Sequence, residues 1–228
     1  QTWNPSTGCT KISTGCKHCY AERMAKRLQA MGQKKYKNGF DLAFHAECLA
    51  EPKTWKSPRT VFVNSMSDLF HEQMTFEDVQ SVFKVMNNNQ RHTFQVLTKR
   101  SDIMLEYSRQ LEWTKNIWLG VTVENGEFSN RIDDLRKTDA LVKFISFEPL
   151  LDPVGEIDLS GIDWVIVGGE SGPGARPIEE SWVLEIQDIC QIQDIPFFFK
   201  QWGGVNKKKN GRELRGKKFS GMPSVMAN

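Results

Sequence analysis

The sequence predicts an α/β protein, a full or partial (β/α) barrel with parallel strands. Short runs rich in β-branched and aromatic residues recur along the chain, as buried parallel strands do. Helical patterns separate them, and such alternation pairs strands in parallel through right-handed crossovers. Polar and charged residues follow almost every apolar run, at the strand ends where a barrel builds its functional rim. A doubly wound sheet is the competing architecture, but neither G-x-G-x-x-G nor a P-loop occurs.

The elements follow in order. An opening strand or loop is expected near residues 10–13. A helix over 20–31 places Tyr20, Met24, Leu28 and Met31 on one face. TVFV (60–63) is the first clear strand. Thr75 with Asp78 caps a helix carrying Val79, Val82, Phe83 and Met86. TFQVL (93–97) precedes a helix begun by Ser101 or Asp102, with Ile103, Met104 and Leu111. IWLGVTV (117–123) leads to a helix marked by Phe128, Ile132 and Leu135. VKFISF (142–147) and WVIVGG (164–169) are strands, and residues 179–193 form a helix with Trp182, Val183, Ile186 and Ile189. PFFFK (196–200) is the last strand. Residues 1–205 read as one barrel domain with an N-terminal cysteine loop, and 206–228 as a basic extension. Its stretch 207–218 reads as a mobile loop before Phe219.

Composition narrows the classes. With 39% hydrophobic and 25% charged residues in a chain of 228, an ordinary globular core is expected. No apolar run approaches the roughly 20 residues that span a bilayer. The opening from Gln1 lacks the segments of a secretory leader, so a cytoplasmic location is expected. The cysteine count of 5 is odd and three lie together, unlike a secreted disulfide framework. Cys48 and Cys190 read as buried thiols. The net charge is +2, yet residues 207–218 hold seven basic residues against Glu213. Residues 11–37 hold eight against Glu22. Either zone could meet nucleic-acid phosphate or be a solvated surface.

The stretch GCTKISTGCKHCYAE (8–22) spaces Cys9, Cys16 and Cys19 as C-x6-C-x2-C. Gly8 and Gly15 permit tight bends, and Lys11 and Lys17 favour thiolates. Two chemistries fit. One is zinc, with His18, His45 or Cys48 as fourth ligand. The other is a four-iron cluster on three thiolates with one iron open. A CxxC redox pair with a spare cysteine is the third alternative.

A resemblance bears on the choice. WNPSTGC (3–9), GCKHCYAERMAKR (15–27), NSMSDLFHE, LTKR, GVTVEN, FISFEPLL, DWVIVGGESGPGARP and PFFFKQWGG together resemble a phage-associated three-cysteine protein family of uncertain function, described as radical-SAM-like. The likeness extends more distantly to spore photoproduct lyase and other radical S-adenosylmethionine enzymes. It covers about Trp3 to Pro223. The spacing departs from the usual C-x3-C-x2-C, and His18 stands where an aromatic residue is usual. The resemblance implies a 4Fe-4S cluster on Cys9, Cys16 and Cys19, S-adenosylmethionine chelated at the open iron, and reductive cleavage of its sulfonium. It also implies an electron donor such as flavodoxin or ferredoxin. The cofactor supplies the hard chemistry, and the protein positions it.

Groups expected around the cofactor are Tyr20, Asn64, Ser65, Ser67, Asp68, Glu124, Asn125 and Glu148, since a cationic sulfonium with an ammonium group wants carboxylate and amide partners. Groups expected toward substrate are Lys99, Arg100, Arg131, Glu170, Ser171, Arg176, Lys200 and Trp202. The cations could instead balance the rim acids, and Trp202 could be a base-stacking platform or a plug. Met66 and Phe70 read as packing under the site, Trp3 and Trp55 as packing elsewhere. No Ser-His-Asp set, paired-carboxylate hydrolase motif or H-E-x-x-H is readable. The expected function is a radical-SAM-like iron-sulfur enzyme repairing or modifying nucleic acid or a nucleotide, with DNA photoproducts included by analogy. The rivals are a zinc-stabilised, non-catalytic nucleic-acid-binding barrel and a radical enzyme acting on a small metabolite.

Overall fold

The computed structural model describes residues 1–224. In chain order the strands are β1 Thr2–Trp3, β2 Ser6–Thr7, β3 Ala43–Phe44, β4 Thr60–Val63, β5 Thr93–Thr98, β6 Ile117–Thr122, β7 Val142–Phe147, β8 Trp164–Gly168 and β9 Phe197–Gln201. The α-helices are α1 Tyr20–Ala30, α2 Glu51–Thr54, α3 Phe76–Asn87, α4 Ser101–Ser108, α5 Asn130–Arg136, α6 Glu180–Ile192 and α7 Lys207–Asn210.

Seven parallel strands form one sheet in the order β1-β4-β5-β6-β7-β8-β9, and β2 pairs antiparallel with β3. In the large sheet each strand neighbours the next one in sequence. A doubly wound sheet would reverse direction at a switch point, so this is the singly wound order of a partial (β/α) barrel. No helix of the described residues is long and apolar enough to cross a membrane.

The chain divides into two compact units. The first holds Gln1–Gly120 with Lys137–Leu141. Its core gathers Trp3, Val61, Val63, Leu69, Phe70, Phe94 and Val96 with the buried face of α3, Val79, Val82, Phe83 and Met86. Thr75 caps α3 by accepting from Asp78 N at 3.1 Å, as the sequence predicts. The opening strand lies earlier than expected. β1 pairs in parallel with β4 through Thr2↔Phe62 and Trp3↔Val63, while residues 10–13 are loop. The Trp3 side chain is buried and donates to Cys48 O at 2.9 Å, which fixes this two-residue strand. β5 alternates half-buried and buried positions rather than being buried throughout.

α1 corrects the predicted face. Ala21 and Ala25 are buried with Met66, and Leu28, Tyr36 and Phe40 pack around them. Tyr20, Met24 and Met31 are exposed. Two alanines let the helix lie close to Met66.

The second unit holds Val121–Arg136 and the chain from Val142 onward. β7, β8 and β9 pair in parallel, with Phe144, Phe147, Val165, Val167 and Phe199 buried beside Ile186 and Val183 of α6. The segment 207–218, expected to be a mobile loop, instead has local structure. It contains α7 and a buried Leu214. Arg212 stacks on Phe198, its guanidinium 4.5 Å from the ring centroid, and Phe199 N donates to Phe219 O at 3.2 Å. The last four residues of the basic extension, 225–228, lie outside the described residues.

Candidate functional site

The cysteine loop belongs to the first unit and runs from β2 to α1. It is pinned at its start. Gly8 N donates to Met66 O at 2.9 Å and Cys9 N to Phe40 O at 3.1 Å. Gly8 has φ +87°, and a Cβ there would stand 2.1 Å from Asp41 O. Only glycine suits both constraints. Thr14–Cys16 then forms a 3-10 turn, and Cys19 is the N-cap residue of α1. A helix therefore starts directly after the third cysteine.

All three thiols are free and partly exposed. Burial and the nearby Asp68 charge push Cys9 up to about 11, against the pull of Arg100. Cys16 behaves oppositely. Burial opposes its ionisation, but backbone hydrogen bonds from Ile12 and Ser13, the Ser13 hydroxyl and the Lys99 charge bring it below its ordinary value. The sulfurs share a neighbourhood, since Cys16 raises Cys9, and Cys16 and Cys19 both act on Lys11. Among the described residues no group of three or more His, Cys, Asp or Glu is arranged to hold a metal ion.

Arg100 ties this loop to the C-terminal ends of β4 and β5. Its guanidinium is buried. Nε donates to Glu72 Oε2 at 2.7 Å, and Nη1 donates to Asp68 Oδ2 at 3.3 Å and Cys9 Sγ at 3.5 Å. Nη2 donates to Thr10 O at 3.1 Å and to Thr10 Oγ1 at 2.8 Å. All five N–H groups of the side chain are thus used, a pattern lysine cannot reproduce. Asp68 is equally committed. It accepts from Phe70 N (3.0 Å), Thr98 Oγ1 (2.7 Å), Lys99 N (3.1 Å) and Arg100. Burial opposes ionisation of Glu72, yet bonds from Thr10, its own backbone and Arg100 hold it at about 2. His71 is fully buried between Thr10 and Gln73, 3.2 Å from each backbone nitrogen. Burial and the Arg100 charge lower its pKa, so it is neutral near pH 7.

The other predicted groups of this unit divide by their partners. Ser65 Oγ donates to Asn4 Oδ1 at 3.1 Å, and Tyr20 OH donates to Ser65 O. Ser67 Oγ lies 2.6 Å from Ser6 Oγ. Asn64, at the end of β4, has φ +58° and accepts from Ser6 N at 3.3 Å. Its buried Nδ2 has no hydrogen-bond partner among the described residues. A buried donor left unmet costs about 1–3 kcal/mol, so this position suits an acceptor from a ligand. Met66 and Phe70 are buried here, as expected.

In the second unit the predicted acids and cations meet one another. Arg131 Nη1 donates to Glu124 Oε2 at 2.9 Å, with both side chains buried, and also to Thr122 O at 2.7 Å. Arg176 forks onto Glu170 through Nε (3.0 Å) and Nη2 (2.6 Å). Lys200 Nζ stands 2.8 Å from Glu148 Oε2. Asn125 caps the 3-10 turn Gly126–Phe128 by accepting from Glu127 N at 3.1 Å. Ser171 Oγ pairs with Gln201 Nε2. Trp202 donates to Glu213 O at 2.8 Å and packs edge-on against Phe199 at 4.7 Å between centroids. These contacts balance charge within the unit and pack Trp202 against Phe199.

Sequence reasoning missed Thr10 and Glu72, whose roles depend on Arg100 reaching 90 and 28 residues back along the chain. Three thiols lie in one loop, Cys16 favoured toward its thiolate by N–H bonds, and the end of β4 carries an unmet amide. Two of the proposed fourth zinc ligands are engaged elsewhere. His45 Nε2 is 2.8 Å from Thr7 Oγ1, and Cys48 Sγ is 3.1 Å from Lys35 Nζ. Fold and site define the class as an α/β protein of partial-barrel order with a three-cysteine loop at its strand ends. The chain belongs to the family described as a protein of unknown function, DUF5131, whose profile matches residues 1–223. No curated protein and no solved structure matches it.

Proposed function

We propose that the chain is an iron-sulfur enzyme of the radical S-adenosylmethionine kind, acting on nucleic acid or a nucleotide in repair or modification. The observation that carries this reading is the placement of Cys9, Cys16 and Cys19 in one pinned loop, against the ends of β4 and β5. Cys9, Cys16 and Cys19 would hold a 4Fe-4S cluster, and Asn64 would offer its unmet N–H to a carboxylate of S-adenosylmethionine. When bound, that pair supplies one-electron reductive cleavage of a sulfonium bond. Arg100, Asp68 and Glu72 hold the loop in place, and Lys99 lends positive charge to Cys16. The resemblance to a phage-associated family and to spore photoproduct lyase supports a nucleic-acid substrate, photoproducts included, in the cytoplasm. An electron donor such as flavodoxin or ferredoxin is part of the proposal.

The test is anaerobic reconstitution with iron and sulfide. About four irons per chain and a brown chromophore are expected. Dithionite-reduced protein with S-adenosylmethionine should release 5′-deoxyadenosine. One tightly held zinc per colourless chain would refute the reading, as would full cluster loading in Cys16→Ala. Turnover with metabolites but with no nucleic acid would move the substrate class alone.

A further inference from the structure

We infer that a single-stranded nucleic acid runs along α1 and the groove at its C-terminal end, not along the basic C-terminal extension. This rests on the nucleic-acid reading above and deepens it.

The sequence holds two basic zones, and only the first lies in the unit that carries the cysteine loop. In the extension Arg212, Arg215 and Lys218 have internal partners, while Lys207, Lys208, Lys209 and Lys217 have no ion-pair partner among the described residues. Arg212 donates to Phe219 O (2.6 Å) and Ser220 Oγ (2.8 Å) while stacking on Phe198. Lys218 stands 3.6 Å from Glu213, and Arg215 stands 3.9 Å from Glu180.

The first zone shares a unit with the cysteine loop. A groove of about 1120 Å³ is lined by Gln29, Gln33, Lys34, Lys37, Asn38 and Phe44, with Asp41 and Glu47 also on its wall. The two lysines are exposed. Arg27 is exposed on the last turn of α1 leading into the groove. None of these three cations has an ion-pair partner among the described residues. Lys35 serves the fold instead, donating to Asn4 O at 2.6 Å.

The apolar side chains on the same helix point to bases as well as phosphate. Tyr20 is 55% exposed and Met24 41%, although both are large and apolar in body. An aromatic face beside a cationic track is how proteins bind unpaired strands, the ring stacking on a base and the cations meeting phosphate. Tyr20 directly follows Cys19. A strand stacked there would present a base at the cysteine loop.

The test is fluorescence anisotropy of a labelled single-stranded DNA 12-mer with the full chain, across a salt series. The triple variant Arg27→Glu/Lys34→Glu/Lys37→Glu removes three phosphate contacts. It should lose about a hundredfold in affinity at 0.1 M salt and flatten the log–log salt slope by about 2, from roughly 0.7 per contact on single strands. Tyr20→Ala should weaken binding with the slope unchanged. Lys207→Glu/Lys208→Glu/Lys209→Glu, on α7, should bind as the parent does. Circular dichroism verifies the fold of each variant. Parent binding that falls with the α7 variant and not with the α1 variant overturns the inference while leaving the nucleic-acid reading intact. Parent protein that binds neither the 12-mer nor its duplex overturns both. Polyglutamate competing as well as unlabelled 12-mer overturns it in favour of an acidic protein partner.

Discussion

Replacing Arg100 by methionine should free the cysteine loop while leaving most of the first unit folded. The guanidinium makes five hydrogen bonds, to Glu72, Asp68, Cys9 and twice to Thr10. Breaking a buried ion pair from one side costs about 3–5 kcal/mol. Asp68 keeps three other donors, Phe70 N, Thr98 Oγ1 and Lys99 N, which puts Arg100→Met near the lower end of that range. The Glu72 contact adds little, because that carboxylate is 47% exposed and exposed pairs are worth under about 1 kcal/mol. A local loss of about 3 kcal/mol corresponds to roughly a hundredfold faster amide exchange, at 1.4 kcal/mol per tenfold. Arg100→Lys keeps the charge but has only three N–H donors, so two bonds go, about 2 kcal/mol or roughly thirtyfold. Hydrogen exchange followed by mass spectrometry reads this directly. The reporters are the amides of Gly8, Cys9 and Thr10, which bond Met66 O, Phe40 O and the His71 ring. Peptides from α3 serve as the internal control. Parent-like exchange of residues 8–19 in Arg100→Met would refute the assignment of Arg100 as the clamp.

Further expectations follow from the same loop. In metal-free protein at pH 8, Cys9, raised to about 11, should carry far less thiolate than Cys16, which is held below its ordinary value. Greater intrinsic nucleophilicity offsets part of this, leaving iodoacetamide alkylation of Cys9 about tenfold slower. Equal rates by peptide mass spectrometry would contradict the two environments. Glu72 sits at about 2 in the fold against an ordinary 4.5, so its ionised form stabilises the loop above that window. The contribution is lost as pH falls from about 4.5 toward 2. An acid titration of loop exchange should therefore be flatter in Glu72→Gln, and an unchanged acid limb would count against the pairing. Gly8→Ala meets both a positive φ and a carbonyl 2.1 Å away. The left-handed backbone alone costs about 1–2 kcal/mol, and with the clash Tm should fall by about 4 °C or more. A parent-like Tm would mean that the loop relaxes freely.

What the sequence made legible follows from how each signal arises. β4 and β7 have the predicted ends because a run of β-branched and aromatic residues bounded by polar ones leaves little freedom. The α3 cap was readable because Thr75 and Asp78 act within one turn. The buried face of α1 was not. Periodicity favours the bulky residues Tyr20, Met24 and Met31, but it is Ala21 and Ala25 that are buried with Met66, and which face meets Met66 is a tertiary property. β1 was hidden because two residues carry no period at all, and its strand character comes from β4.

The same reasoning bears on the site. A sequence can show that charges gather after strands, but whether they are spent on one another is decided only when side chains meet. Here Glu124 takes Arg131, Glu170 takes Arg176, Glu148 takes Lys200, and Asp68 takes Arg100. A rim acid that already has a cation and several N–H donors has little left to offer a cofactor, since displacing those bonds would leave buried groups unmet. By that measure Asp68 is a brace. Asn64 differs, since its buried Nδ2 has no hydrogen-bond partner among the described residues. A neutral N–H donor cannot ligate a cation, so an acceptor atom of a ligand satisfies Asn64 Nδ2 and a bare divalent cation does not.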